Sequence, residues 1–286
     1  MVKQTALVLE GGAMRGIYTA GALDIFLEQG LIFPYVIGVS AGALNGLSYI
    51  SGQKGRNAKV TLEYANDPRY LGVRGLVRDR SIFNFEFMFG ELAHDLVPFD
   101  WDAFEHSPQR FVAVASNCLN GRPAYFEKTK CSDIYKASAA SGSMPLFSKM
   151  IEMDGVPYLD GGVAIPTGRS EALRQGYQKQ VLILTRPKGY RKPPIRTAVK
   201  YLYARAFKKY PALLQKLLTV PERYNAEMSI IDRLEQEGQI FVIRPGQPVL
   251  ISRMEKDLEK LENLYWEGRL ETEAALPALR AYLEKP

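Results

Sequence analysis

Tyr35-Val36-Ile37-Gly38-Val39-Ser40-Ala41-Gly42 is an apolar run that turns into small residues, and it decides the class of this chain. Tyr35–Val39 reads as a short strand, and a helix-like stretch follows through Ile50. Upstream, residues 5–10 (TALVLE) read as a buried strand that breaks into Gly11-Gly12. Residues 17–29 read as a helix: Leu23, Phe26 and Leu27 share one face at i, i+3, i+4, and Gly30 stands where a C-cap glycine belongs. Strand, helix, strand, helix at this spacing predicts an α/β fold with a parallel sheet and helices on its faces.

Downstream the pattern thins. Residues 64–106 are irregular, with a run of Phe83, Phe85, Phe87 and Phe89 around Met88. Residues 111–115 are the next clear strand, and Ser132 is a plausible N-cap for a helix through Ala140. Tyr158-Leu159 leads into a tight turn at Asp160-Gly161-Gly162. Residues 180–185 form an apolar strand, 239–243 another, and from Ile251 apolar and charged residues alternate at helical spacing.

The composition is that of a globular protein: of 286 residues, 47% are apolar and 24% charged, which argues against disorder. Two cysteines, Cys118 and Cys131, do not make a disulfide framework, so free thiols in a reducing compartment are expected. The start shows no signal peptide, and no apolar run approaches the ~20 residues needed to cross a bilayer. A cytoplasmic protein is expected. The net charge of +6 is local in origin: residues 186–210 carry nine basic residues and no acidic one, while from Glu222 onward 13 acidic residues outnumber 9 basic ones.

Three motifs carry chemistry. Gly38-Val39-Ser40-Ala41-Gly42 is a G-x-S-x-G. In a nucleophile elbow the Ser sits on a sharp strand-to-helix turn that small flanking residues permit. The pattern alone is weak, with about 0.1 matches expected by chance in such a chain, but here it lies between a strand and a helix. Glu10-Gly11-Gly12-Ala13-Met14-Arg15-Gly16 also joins a strand to a helix. It is neither a dinucleotide fingerprint nor a Walker A loop, and it fits an oxyanion hole, or else a plain glycine turn. Asp160-Gly161-Gly162 offers a carboxylate at a glycine turn, as a base for Ser40 or as a solvated turn Asp. The two histidines, His94 and His106, both precede Asp160, against the order Ser, acid, His of an α/β hydrolase. They read as surface or core residues. No cluster is spaced like zinc ligands.

Together and in this order, the motifs resemble the patatin-like phospholipase family over roughly residues 5–186, most nearly its bacterial-type cytoplasmic members. The resemblance implies a three-layer α/β/α sandwich with a mostly parallel sheet. It implies a Ser40–Asp160 dyad: Asp160 takes the Ser40 proton, Ser40 attacks an ester carbonyl, and water cleaves the acyl-enzyme. The oxyanion hole maps onto Gly11, Gly12, Ala13, Met14, Arg15 and Gly16, and the elbow onto Gly38, Val39, Ala41 and Gly42 around Ser40. Gly161 and Gly162 complete the acid's turn. Ala13 stands where many members have a third Gly, and its N–H still donates where φ stays negative. No metal or cofactor is needed. A lone carboxylate is a weak base unless desolvated, so desolvation at Asp160 is expected.

The chain divides into a catalytic domain over 1–190 and a helical C-terminal extension over 191–286 with a returning strand at 239–243. Residues 83–89 read as core rings first, and as the lining or lid of an acyl trough second. Residues 195–218 read as one basic amphipathic helix, packed on the core by its apolar face, or lying on an anionic membrane at the inner membrane face. The leading expectation is a serine acyl hydrolase acting on phospholipid, lysophospholipid or a related ester. The alternatives are a membrane- or lipid-binding protein with a vestigial dyad, and an acyltransferase. No nucleic-acid partner is expected, since no motif accompanies the charge.

Overall fold

The computed structural model describes residues 4–72 and 81–285, so part of the irregular 64–106 region lies outside the described residues. Eight strands form one sheet: β1 (Thr5–Leu9), β2 (Tyr35–Val39), β3 (Arg110–Asn117), β4 (Pro123–Glu127), β5 (Ile151–Met153), β6 (Val156–Asp160), β7 (Lys179–Ile183) and β8 (Phe241–Ile243). Their order is β5-β6-β3-β2-β1-β7-β8, with β4 also paired to β3. The stretch β3-β2-β1-β7-β8 is parallel. β4 and β6 run against β3, and β5 against β6.

The helices are α1 (Ile17–Glu28), α2 (Ala41–Ile50), α3 (Arg56–Tyr64), α4 (Phe85–Phe89), α5 (Trp101–His106), α6 (Ile134–Gly142), α7 (Arg169–Arg174), α8 (Thr197–Ala206), α9 (Pro211–Leu218), α10 (Val220–Gln236) and α11 (Leu258–Glu284). Strands buried on both faces read as near-continuous apolar runs; β1 and β2 are buried along their whole length, and β1 is apolar after Thr5. One face of the sheet (Leu7, Leu9, Val36, Ala113, Val181) packs against α1, α2 and α11. The other (Ala6, Val8, Ile37, Val112, Leu182) packs against α7 and α10. The chain is therefore a three-layer α/β/α sandwich with a mostly parallel sheet and a long C-terminal helix.

α11 lies close along α1 because glycines face each other's backbone. A Cβ on Gly268 would stand 2.3 Å from the Tyr18 carbonyl oxygen, and one on Gly21 2.3 Å from that of Tyr265. Hydrogen bonds lock the pair: Tyr265 Oη donates to Asp24 (2.7 Å) and Tyr18 Oη to Glu271 (2.7 Å).

Three local expectations need correction. The cap of α6 is Asp133, not Ser132; its carboxylate accepts from Lys136 N at 2.8 Å, and a charged acceptor suits a helix N-terminus. The stretch 195–218 is two helices, α8 and α9, because Pro211 cannot continue the first and instead starts the second. The C-terminal helix begins at Leu258 under an Asp257 cap, leaving residues 251–257 as an approach loop.

Candidate active site

Register brings the sequence motifs together. Val39 pairs with Val114, and the next residue of β3, Ala115, pairs with Asp160. The ends of β2 and β6 therefore meet across β3. There Ser40 Oγ donates to Asp160 Oδ2 at 2.7 Å, with both residues buried (7% and 9% exposed).

Ser40 has φ +55° and ψ −124°, a strained turn costing ~1–3 kcal/mol that points its hydroxyl out of the strand. The flanking glycines are required by space. A Cβ on Gly38 would lie 2.5 Å from Ala43 N, and one on Gly42 2.4 Å from the Leu9 carbonyl oxygen. A residue outside the sequence motifs supports the turn: Ser141 Oγ accepts from Ser40 N (2.8 Å) and donates to the Val114 carbonyl (2.6 Å). Ser116 does the same for the acid's turn, donating to the Asp160 carbonyl (2.7 Å) and accepting from Ala164 N (2.9 Å). Ser116 follows a run of Ala and Val, Ser141 is one of three serines in a small-residue run, and no sequence pattern marks either.

Asp160 also accepts from Gly162 N (2.7 Å) through Oδ1. Burial raises its carboxyl above the ordinary value of 3.8; the bonds from Ser40 and Gly162, and the charges of Arg253 and Lys192, oppose that shift. The expected desolvation is present, and it makes Asp160 a stronger base than an exposed carboxylate.

The loop of Gly11, Gly12 and Ala13 runs past Ser40. A Cβ on Gly11 would stand 2.8 Å from Ser40 Cβ. The N–H groups of these three residues meet no acceptor among the described residues, so they are free to receive an oxyanion. Ala13 has φ +49°, so the condition of a negative φ is not met: the chain leaves β1 and enters the 3₁₀ helix Ala13–Gly16 within a few residues, and this left-handed residue makes the turn, while its N–H lies in the peptide plane shared with Gly12 and can donate whatever the sign of its own φ. Asn45 Nδ2 pins the loop by donating to the Gly16 carbonyl (2.8 Å). Met14 and Gly16 border the apolar side of the site. Arg15 is buried, donates to the Ile251 carbonyl (3.4 Å) and leaves Nε without a partner. Glu10 turns from Ser40 to accept from Thr185 N (2.6 Å) and Oγ1 (3.1 Å).

Ser40 stands where two cavities meet. One is apolar and bounded by Leu44, Val60, Phe83, Phe85, Met88 and Phe89. Phe83, Phe85 and Phe89 border this cavity, and Phe83 and Phe87 are also part of the buried core. The other cavity is bounded by Arg15, Arg186, Tyr190, Lys192, Tyr224 and Arg253.

The remaining candidates fall elsewhere. His94 is exposed and stacks on Trp101, and His106 is exposed near Asp102, so neither reaches Ser40. Cys118 is buried, Cys131 half-buried, and both are free. Among the described residues no group of three or more His, Cys, Asp or Glu is placed to hold a metal, and no helix is long and apolar enough to cross a membrane. α9 buries Leu213 and Leu217, but α8 buries no residue and exposes Tyr201 and Leu202.

Known proteins resemble this chain in sequence and in fold. The uncharacterized protein YjjU of Escherichia coli (strain K12) is 29% identical over 281 residues, which are 93% of this chain and 75% of YjjU. The crystal structure of VipD from Legionella pneumophila aligns with a TM-score of 0.45 at 12% identity, over 96% of this chain and 66% of that one, just under two thirds of its length. Residues 210–284 match a domain of unknown function, DUF6363. The family model for patatin-like phospholipase matches residues 7–173, more than half of the chain, and the chain thus belongs to the patatin-like phospholipase family, whose membership supports lipid hydrolysis in general terms.

Proposed function

We propose that this protein is a serine acyl hydrolase that cleaves a phospholipid, a lysophospholipid or a related carboxylic ester through a Ser40–Asp160 dyad. The observation that carries the reading is the 2.7 Å hydrogen bond from Ser40 to a buried carboxylate, beside a loop of unengaged N–H groups. Asp160 accepts the Ser40 proton as Oγ attacks the ester carbonyl. The N–H groups of Gly11, Gly12 and Ala13 receive the negative charge on the carbonyl oxygen, each donor being worth about 3 kcal/mol in the transition state. Arg15 shapes that loop through its bond to Ile251. The alcohol leaves with the proton, and water then releases the acid from Ser40. The apolar cavity beside Ser40 takes the acyl chain.

The test is labelling by a fluorophosphonate probe together with hydrolysis of p-nitrophenyl butyrate. The wild type is expected to be labelled and active, and Ser40→Ala to be neither. A folded wild type that is neither labelled nor active would sink the hydrolase reading and leave lipid binding.

Contact with a membrane surface belongs to the same reading. α8 presents Tyr201 and Leu202, which are 68% and 50% exposed, beside Lys200 and Arg205. Such a face suits an anionic bilayer. Sedimentation with vesicles containing phosphatidylglycerol is expected to fall in the Tyr201→Ser, Leu202→Ser double variant. Equal sedimentation of both proteins would remove α8 from the membrane contact.

A further inference from the structure

The cavity on the far side of Ser40 from the apolar trough is walled by cations. Arg15, Arg186, Lys192 and Arg253 all border it, together with Ser40 and Asp160. Among the described residues none of the four forms an ion pair with a carboxylate within 4.0 Å. Their partners are neutral. Arg15 and Arg186 donate to the carbonyls of Ile251 and Val249. Lys192 Nζ lies 3.9 Å from the centre of the Tyr224 ring, and the Arg186 guanidinium 4.6 Å from that of Tyr190. Aromatic faces and carbonyls hold a cation in place without cancelling its charge.

The carboxylates bordering the cavity are Glu10 and Asp160. Glu10 is already engaged by Thr185, and Asp160 by Ser40 and Gly162. Four cations thus face two occupied anions. Burial acts on the cations themselves: desolvation, with smaller contributions from Arg253 and Arg15 and against the attraction of Glu10 and Asp160, pushes the Lys192 ammonium down to about 8, and desolvation, with Arg186 and Arg253 and against Glu10, brings Arg15 down to about 10. Arg15 is buried, Arg186 and Lys192 are half-buried and Arg253 is exposed, and the excess of positive charge on the first three is costly unless an anion meets it.

The position says which part of a substrate that anion belongs to. Ser40, Ala13 and Met144 border both cavities, so the scissile carbonyl sits at their junction. An acyl chain in the apolar trough leaves its alcohol portion pointing into the basic cavity. We propose that Arg15, Arg186, Lys192 and Arg253 form an anion site for a phosphate carried on the leaving-group side of the ester, and that it selects substrates with net-negative head groups. The site rests on the hydrolase reading above and deepens it. Lys192 lies in the basic stretch that follows the patatin-like match, and Arg253 in the loop leading to α11, within residues 210–284. The C-terminal part therefore supplies specificity to a site whose reacting groups lie upstream.

The test compares lysophosphatidylglycerol with the monoacylglycerol of the same acyl chain, which lacks the phosphate, below their aggregation concentrations so that surface binding plays no part. The wild type is expected to favour the anionic lysolipid about tenfold or more in kcat/KM, the worth of one charged hydrogen bond. Lys192→Met is expected to lose most of that ratio. Arg253→Gln, at an exposed position that does not endanger folding, is expected to lower it several-fold. A wild type that hydrolyses the phosphate-bearing and the phosphate-free ester equally, or variants that keep the full ratio, would overturn the anion site and leave the hydrolase intact. Inhibition of p-nitrophenyl butyrate hydrolysis by inorganic phosphate without any lysolipid preference would assign the cations to free phosphate and equally overturn it. Failure to hydrolyse any of the esters would overturn both readings at once.

Discussion

Asp160→Asn is expected to lower kcat/KM about 10⁴-fold while raising the melting temperature. The loss follows from the dyad: an amide accepts the Ser40 hydrogen bond but cannot take the proton. The gain follows from burial. Asp160 has a carboxyl raised above 3.8, chiefly by desolvation. A group whose folded pKa is raised contributes stability below its unfolded pKa and loses it as pH rises through the folded one. At neutral pH the wild type therefore carries an ionised carboxylate that costs stability, and Asn removes it. Thermal melts at neutral pH should place the variant above the wild type, and the gap should narrow as pH falls toward 3.8. A variant that melts lower at neutral pH would show that the bonds from Ser40 and Gly162 and the charges of Lys192 and Arg253 outweigh desolvation. The same shift sets the acid limb of activity: kcat/KM should fall at a higher pH than an ordinary aspartate would give, because the base works only when ionised.

Gly42→Ala is expected to cost about 3 kcal/mol of stability and about 10²-fold in activity even where the protein folds. Its Cβ would stand 2.4 Å from the Leu9 oxygen, 2.7 Å from the Leu9 carbonyl carbon and 2.8 Å from the Glu10 oxygen. All three are backbone atoms of β1 and the loop after it, so no side chain can swing aside. Either α2 moves away from β1 or the Gly11–Gly12 loop moves away from Ser40, and both displace the oxyanion donors. Chemical denaturation and p-nitrophenyl butyrate kinetics on the folded fraction check it. A variant with unchanged midpoint and rate would show that the elbow tolerates a wider turn than its spacing allows.

Much of the fold was legible because its signals are local. β1, β2, α1 and α2 are read from apolar runs and helical spacing within a dozen residues, and the parallel sheet follows from their alternation. β4 and β5 were not legible. β4 is half-buried throughout, and β5 is a three-residue strand, so neither shows a clean apolar run. The motif residues were visible because their glycines are demanded by contacts at the turn itself. Ser141, Ser116 and Asn45 were invisible, since each acts on a backbone group 29 to 101 residues away.

By itself the sequence determined the α/β class, the strand-to-helix elbow at Ser40, the glycine loop at Gly11-Gly12 and the carboxylate turn at Asp160. Tertiary structure decided which of these groups meet: a hydrogen bond over 120 residues depends on strand register, which no local pattern encodes. It also decided which members of one basic run do what. Lys188 and Arg191 pair with Glu235 and Asp232 on α10, while Arg186 and Lys192 turn into the cavity. Charge in a sequence has sign and spacing but no direction, and direction comes only when the neighbouring elements are in place.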